Sequence, residues 1–154
     1  MTKRGLYLLS IFLAFVITAP MVTAQSDEES IKKLITNYVK AMNMGDANGV
    51  VDLFMPDGVF MPHGSPAQVG DKAIHAFYQD TLFGQESLDI NFEPVEVVVL
   101  NGWAFARMEA TGTTESKDSG TSVKIDNKAL FVLSRTSAGT WKIARLMWNR
   151  NSGQ

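Results

Sequence analysis

The chain has 154 residues, a formal net charge of −2 and no cysteine. Nucleic-acid binding is disfavoured, because phosphate contacts need clustered Lys and Arg, which this mildly acidic sequence lacks. The absence of cysteine excludes disulfides and thiolate metal sites, and two widely spaced histidines, His63 and His75, offer no cluster of metal ligands. No glycine-rich phosphate-binding loop is present, so we predict neither a metal nor a cofactor.

The first residues have the features of a secretory signal peptide. Lys3 is part of a basic start, an apolar run follows over residues 5–19, and small side chains place a cleavage site after Ala24. A membrane anchor is the alternative, but the run is shorter than the roughly 20 residues that span a bilayer. We therefore predict a signal peptide over residues 1–24, outside the fold. One domain over residues 25–154 would be secreted or periplasmic, in a bacterial envelope.

Three helices are predicted in the first half of the domain. A capping-box pattern starts a helix over residues 26–45, with Ser26 as its N-cap. A second, short helix is expected over residues 47–54. A third is expected over residues 71–83, with Asp71 as its N-cap.

The second half of the domain has the alternating pattern of β-strands. A short strand at residues 59–61 precedes predicted strands at residues 94–100, 103–114, 121–134 and 140–149. This order predicts an α+β fold, with three N-terminal helices packed on a curved, mostly antiparallel sheet. Apolar residues occupy both faces of the last strand, so the face that the helices leave free needs another cover. We predict a homodimer through this outer sheet face.

Several segments resemble one known family. YVKAMNMGD at residues 38–46 and LFMPDGVF at residues 53–60 resemble the opening of SnoaL-like and ketosteroid-isomerase-like domains. GDKAI at residues 70–74 resembles their third helix, and GTWKIAR at residues 139–145 resembles the last strand of the SgcJ/EcaC-type branch. The resemblance covers residues 31–149. It implies the cone-shaped nuclear-transport-factor-2-like fold, a mostly apolar pocket at the open end of the cone, and a dimer.

The resemblance also points to two candidate catalytic residues. Tyr38 matches the tyrosine that donates a hydrogen bond to an enolate oxygen in ketosteroid isomerases. The base of those enzymes falls at Met61 or Pro62, neither of which can accept a proton, so the neighbouring His63 is the candidate substitute. The alternatives are that Tyr38 is a core residue with its hydroxyl at the pocket rim, and that His63 is a solvated loop residue.

Polar residues also stand on otherwise apolar strand faces. Arg107 and Glu109 alternate along one strand face with Trp103, and Arg145 and Asn149 share a face of the last strand. Burying a charge without a partner costs several kcal/mol. Inside the cone these residues would therefore pair, as Arg107–Glu109 or Glu109–Arg145, or would bind a polar group of a ligand. If the opposite faces point inward, they are surface charges.

Two functions compete, with a structural or assembly role as a third. The first is a binding module that holds a small hydrophobic or aromatic molecule in the pocket. The second is a cofactor-independent isomerase or lyase acting as a proton-transfer isomerase, cyclase or dehydratase. In it, His63 or Glu109 would be the base, and Tyr38 or Arg145 would stabilise an oxyanion. The expected pocket lining consists of Tyr38, Phe54, Met61, Trp103 and Trp148, with Arg107 and Asn149 as further ligand contacts.

Overall fold

The computed structural model describes residues 21–151, so most of the predicted signal peptide lies outside the described residues. The elements are α1 Met21–Met44, α2 Ala47–Val51, β1 Phe54–Met61, β2 Gln68–Val69, α3 Gly70–Ala76, a π-helical segment Phe77–Leu82, β3 Glu86–Leu100, β4 Trp103–Ser116, β5 Ser122–Arg135 and β6 Trp141–Arg150. None of the helices within residues 21–151 is long and apolar enough to span a bilayer.

Six strands form one sheet in the order β2-β1-β6-β5-β4-β3. β3 to β6 form the predicted antiparallel meander, and β1 pairs with β6 in the parallel direction. Gly102 turns the chain between β3 and β4 at φ +83°, a backbone conformation that other residues rarely adopt. The predicted α+β class and the mostly antiparallel sheet are confirmed.

The helices cover one face of this sheet, and the alternation along β4 shows which face. Alternate residues of β4 are buried, namely Ala104, Ala106, Met108 and Ala110. The residues between them, including Trp103, Arg107 and Glu109, lie on the outer face. The face of β4 that carries charged residues therefore points away from the core, which decides between the alternatives that the sequence left open.

Two predicted helix caps are wrong. α1 begins at Met21, so Ser26 lies within the helix and not at its N-cap. The N-cap of α3 is Val69, which makes no side-chain capping bond. Asp71 lies in the first turn of α3, where a carboxylate still suits the positive end of the helix dipole.

Several predicted element boundaries also differ from the structure, and β1 begins at Phe54 and not at residue 59. The second helix ends at Val51, because Phe54 already pairs with Ile143 as the first residue of β1. β3 begins at Glu86, eight residues before the expected start at Pro94. The strand tolerates this proline because β3 is a sheet edge and its register shifts just after Pro94.

A side-chain amide attaches α1 to the edge strand β3. Asn43 Nδ2 donates a hydrogen bond to the Ile90 carbonyl oxygen at 2.9 Å, and the Ile90 amide donates to Asn43 Oδ1 at 2.8 Å. An edge strand presents unpaired backbone groups, and Asn43 satisfies both groups of one residue. This contact therefore fixes the position of β3, whose first residues border the site described next.

Candidate functional site

A cavity of about 460 Å³ opens at one end of the sheet, and we call it the mouth cavity. The loop after β1 and the π-helical segment form one side, and the adjoining ends of β3, β4, β5 and β6 form the other. Its apolar lining includes Phe77, Leu82, Leu88, Ile125 and Trp148. Its polar lining includes His63, Glu86, Lys124, Asp126, Asn127 and Arg150.

The π-helical segment places two side chains in the cavity wall. The Phe83 amide donates to the Tyr78 carbonyl oxygen at 2.8 Å, the five-residue bond spacing of a π-helix. With this spacing, residues five apart project on one side, so Phe77 and Leu82 both reach the mouth cavity. Tyr78 and Phe83 point into the core, with their ring centroids 5.6 Å apart.

An aromatic cluster fills the cone beneath the mouth cavity. The Tyr38 ring contacts Phe131 and Trp148 edge to face, at centroid distances of 5.4 and 6.4 Å. Phe60 packs against Trp148 at 5.3 Å and stacks on Tyr78 at 5.0 Å. Trp148 both lines the cavity and packs on this cluster, so it forms the cavity floor.

Tyr38 lies within this cluster and is fully buried. Its hydroxyl is 2.6 Å from the hydroxyl of Tyr78, which is also fully buried. Loss of solvation is the main reason why the pKa of each phenol is raised above its ordinary value of 10.0; the Tyr78 phenol raises the pKa of Tyr38 further. Both phenols are therefore neutral at physiological pH, and within the described residues the Tyr38 hydroxyl bonds only to Tyr78.

One buried donor of the cluster has no partner. Trp148 Nε1 makes no hydrogen bond, the one such buried side-chain nitrogen or oxygen among residues 27–151. A buried polar group without a partner costs about 1–3 kcal/mol, so most are satisfied. The indole of Trp148 is thus the least satisfied polar group at the cavity floor.

The acidic and the basic side chains of the mouth cavity differ in whether they have a hydrogen-bond partner. Glu86 Oε2 accepts a hydrogen bond from the Thr114 hydroxyl at 2.5 Å, and Asp126 Oδ1 accepts one from Asn151 Nδ2 at 2.7 Å. The side chains of the basic residues His63, Lys124 and Arg150 make no hydrogen bond or ion pair within the described part of the chain. No group of three or more acidic or histidine side chains in residues 21–151 could hold a metal ion.

A second groove, of about 630 Å³, lies between α1 and the turn that joins β5 to β6. Its Asp27 carboxylate pairs with Arg135, whose guanidinium lies 4.7 Å from the ring centroid of Trp141. Trp141 Nε1 also donates to Asp27 at 3.4 Å, and Lys142 Nζ donates to the Asp52 carbonyl oxygen. Because these polar groups already bind one another, the groove offers fewer free contacts than the mouth cavity.

Of the predicted site residues, two line the mouth cavity: His63, on the loop after β1, and Trp148, on β6. Tyr38 lies beneath the floor, and its hydroxyl is not at a pocket rim. Phe54 is a buried core residue that pairs with Ile143, away from the cavity lining.

Six further predicted site residues lie on the outer face of the sheet. They are Met61, Trp103, Arg107, Glu109, Arg145 and Asn149. Arg107 pairs with Glu96 at 3.6 Å, and Arg145 donates to the backbone oxygens of Asp57 and Ala144 at 3.3 and 2.6 Å. The expectation that they line an interior pocket is therefore wrong, because the opposite strand faces point inward.

Sequence reasoning missed most of the cavity wall. Leu88 lies before the strand start that the sequence predicts at residue 94, so the pattern assigns it to no wall. Phe77 falls inside the predicted third helix, which carries no predicted site residue. Arg150 could have been found, since it follows Trp148 by two residues and therefore shares its strand face.

Known proteins similar to this chain identify its family. Its sequence matches the SnoaL-like domain model over residues 35–143. A ketosteroid isomerase-like protein from Erwinia carotovora atroseptica is 30% identical, with a TM-score of 0.77 over 81% of this chain and 96% of that one. A nuclear-transport-factor-2-like protein with a cystatin-like fold from Novosphingobium aromaticivorans is 25% identical, with a TM-score of 0.70 over 85% and 86%.

A nuclear transport factor 2-like superfamily protein from Salmonella enterica shares the fold at 17% identity, with a TM-score of 0.76 over 86% of this chain and 96% of that one. No curated protein sequence matches the chain. The finer assignment to the SgcJ/EcaC-type branch stays a prediction. The chain belongs to the SnoaL-like domain family, within the nuclear-transport-factor-2-like superfamily.

Proposed function

We propose that this protein is an exported domain that binds a small aromatic or hydrophobic molecule in the mouth cavity. The observation that carries the proposal is a cavity of about 460 Å³ with Trp148 as its floor and Phe77, Leu88 and Ile125 in its wall. Ligand sites typically have volumes of roughly 300–1,000 Å³, apolar walls and a few polar groups. The mouth cavity has a volume in this range and an apolar floor and wall at Trp148, Phe77 and Leu88, while polar and charged side chains form about half of its lining.

The surroundings of Tyr38 favour binding over isomerase chemistry. A phenol that stabilises an oxyanion needs access to the substrate and a nearby group that moves the proton. The Tyr38 hydroxyl is buried and bonds to Tyr78, a second neutral phenol. Tyr38 therefore supports the packing of the cavity floor in this proposal.

An isomerase or lyase is the alternative function, and His63 favours it. Its imidazole lies in the cavity wall, and histidine is the side chain that most often transfers protons in enzymes. Deuterium exchange distinguishes the two functions: a proton-transfer enzyme incorporates solvent deuterium into a carbon position of its ligand, whereas a binding module does not. The ligand retained by protein purified from its own host would be identified by native mass spectrometry and then incubated in D₂O with the protein and with His63→Gln.

The binding proposal is tested with N-phenyl-1-naphthylamine, a neutral aromatic probe whose fluorescence rises in apolar sites. We expect saturable binding of one molecule per chain. Leu88→Trp would fill the cavity and abolish binding, whereas Leu100→Trp, on the exposed end of the same strand, would leave it unchanged. Equal binding by both variants would contradict the proposal.

Export is a second part of the proposal. The basic start at Lys3, the apolar run over residues 5–19 and the small residues before Gln25 support cleavage after Ala24. Intact mass analysis of protein from the periplasm or medium of a bacterial culture should give a chain that begins at Gln25. A chain that keeps residues 1–24 and fractionates with the membranes would support the anchor instead.

We also propose a homodimer through the outer sheet face. This face exposes large apolar side chains, at Leu100 (58%), Trp103 (51%), Leu130 (39%) and Met147 (38%). Extended apolar patches of this kind mark protein contacts. Light scattering should give a dimer for the native chain and a monomer for Leu130→Glu, with Thr36→Glu on the exposed side of α1 as control. A monomeric native chain at micromolar concentration would contradict the dimer.

A further inference from the structure

We infer that the ligand of the mouth cavity is an amphipathic anion, an apolar or aromatic body that carries one carboxylate, sulfonate or phosphate group. The inference rests on the proposed binding function and adds the charge and chemical class of the ligand. Its basis is the unpartnered guanidinium of Arg150, on the same strand face as Trp148.

Arg150 is the central observation. The other arginines of residues 21–151 are bound: Arg107 to Glu96, Arg135 to Asp27, and Arg145 to two backbone oxygens. Arg150 has no side-chain partner, although it lines the cavity. A guanidinium has five donors in a planar fork that matches a carboxylate or phosphate. Arg150 is therefore the cation of the described chain that is best placed to bind an anionic ligand group.

Two further basic residues lie at the same cavity. Lys124 and His63 line it and have no partner in the described part of the chain. The two carboxylates at the cavity, Glu86 and Asp126, instead accept hydrogen bonds from neutral donors, Thr114 and Asn151. Each of these carboxylates thus holds a neighbouring side chain, whereas the donors of Arg150 are left for an anionic ligand group.

The spacing of Arg150 and Trp148 fits one molecule that contacts both. The two residues are separated by one position on β6, so their side chains leave the same sheet face about 7 Å apart. An aromatic ring on the Trp148 floor can then extend a charged substituent to the guanidinium.

Two probes with one aromatic framework test the charge. 8-Anilino-1-naphthalenesulfonate carries a sulfonate, and N-phenyl-1-naphthylamine has the same rings without it. We expect Arg150→Gln to weaken sulfonate binding about tenfold, equivalent to about 1.4 kcal/mol, and to change binding of the neutral probe less than twofold. Lys124→Gln should act in the same direction with a smaller effect. Lys128→Gln, an exposed cation on the same strand that does not line the cavity, should leave both probes unchanged.

Salt gives an independent readout, because screening weakens contacts between exposed charges. Raising the ionic strength should weaken binding of the sulfonate by the native chain, but should have little effect on Arg150→Gln. An equal effect of Arg150→Gln on both probes, or no effect on either, would overturn the inference and leave the proposed function standing. Failure of both probes to bind the native chain, or binding that Leu88→Trp leaves intact, would overturn the proposed function itself.

Discussion

The hydroxyl oxygens of Tyr38 and Tyr78 lie 2.6 Å apart in the buried centre of the domain. Tyr38 belongs to α1 and Tyr78 to the π-helical segment, so this bond connects the long helix to the wall of the mouth cavity. The tyrosine that the family resemblance associates with an oxyanion is therefore paired beneath the cavity floor. We therefore expect the Tyr38 hydroxyl to contribute to the free energy of unfolding of the domain.

Removing one of the two hydroxyls should destabilise the domain more than removing both. Tyr38→Phe or Tyr78→Phe leaves the other hydroxyl buried without a partner, and we expect each to lower the free energy of unfolding by about 1–3 kcal/mol. The double variant replaces both polar groups by apolar ones and should be closer to the native chain than either single variant. Urea unfolding of the four proteins measures this coupling. Additive losses would show that the two hydroxyls do not act as a pair.

The same pair predicts a loss of stability in alkali. Burial raises the pKa of both phenols above the ordinary value of 10.0, so the unfolded chain releases these protons at lower pH than the folded chain. Their contribution to stability is therefore fully present below about pH 10 and is lost as the pH rises further. The free energy of unfolding should fall less steeply between about pH 9 and about pH 11 in Tyr38→Phe/Tyr78→Phe than in the native chain. Equal slopes would contradict this explanation.

Gly112 should tolerate no side chain. Its φ is +143°, and a Cβ added there would lie 2.0 Å from the Asp89 carbonyl oxygen on the neighbouring strand. Gly112→Ala should lower the free energy of unfolding by more than about 3 kcal/mol, because the chain must move and the backbone is strained. Gly120→Ala is the matched control: φ is +66° with open space around it, so the cost should be about 1 kcal/mol. Equal losses in thermal or urea unfolding would show that the close approach to Asp89 does not matter.

The contact between Asn43 and Ile90 should hold the edge strand. Asn43→Ala leaves the Ile90 amide and carbonyl without their side-chain partner, and we expect a loss of about 1–3 kcal/mol. Hydrogen exchange of the Ile90 amide should accelerate at the same time. Asn37→Ala, an exposed position on the same helix, is the control. Unchanged exchange at Ile90 would show that the backbone of β3 is held by other contacts.

The sequence predicts the fold further than it predicts the site. Alternating strands with turn residues such as Gly102 are local signals, and the meander follows from them. The burial of Tyr38 depends on Tyr78, forty residues away, through a π-helical segment that no residue pattern in the sequence indicated. Which face of β4 points inward depends on which face of the sheet the helices cover. The apolar side chains of Trp103 and Phe105 suggest that their face is interior, but it is the outer one.

The location of ligand binding is the central claim, and the three tryptophans report on it separately. Trp148 forms the floor of the mouth cavity, Trp141 lines the second groove, and Trp103 lies exposed on the outer sheet face. The direct measurement is a ¹H–¹⁵N spectrum of the indole N–H groups during titration with N-phenyl-1-naphthylamine. Binding in the mouth cavity predicts that the Trp148 resonance shifts with saturation, while those of Trp141 and Trp103 stay in place. A saturable shift of Trp141 or Trp103 with Trp148 unmoved would contradict it.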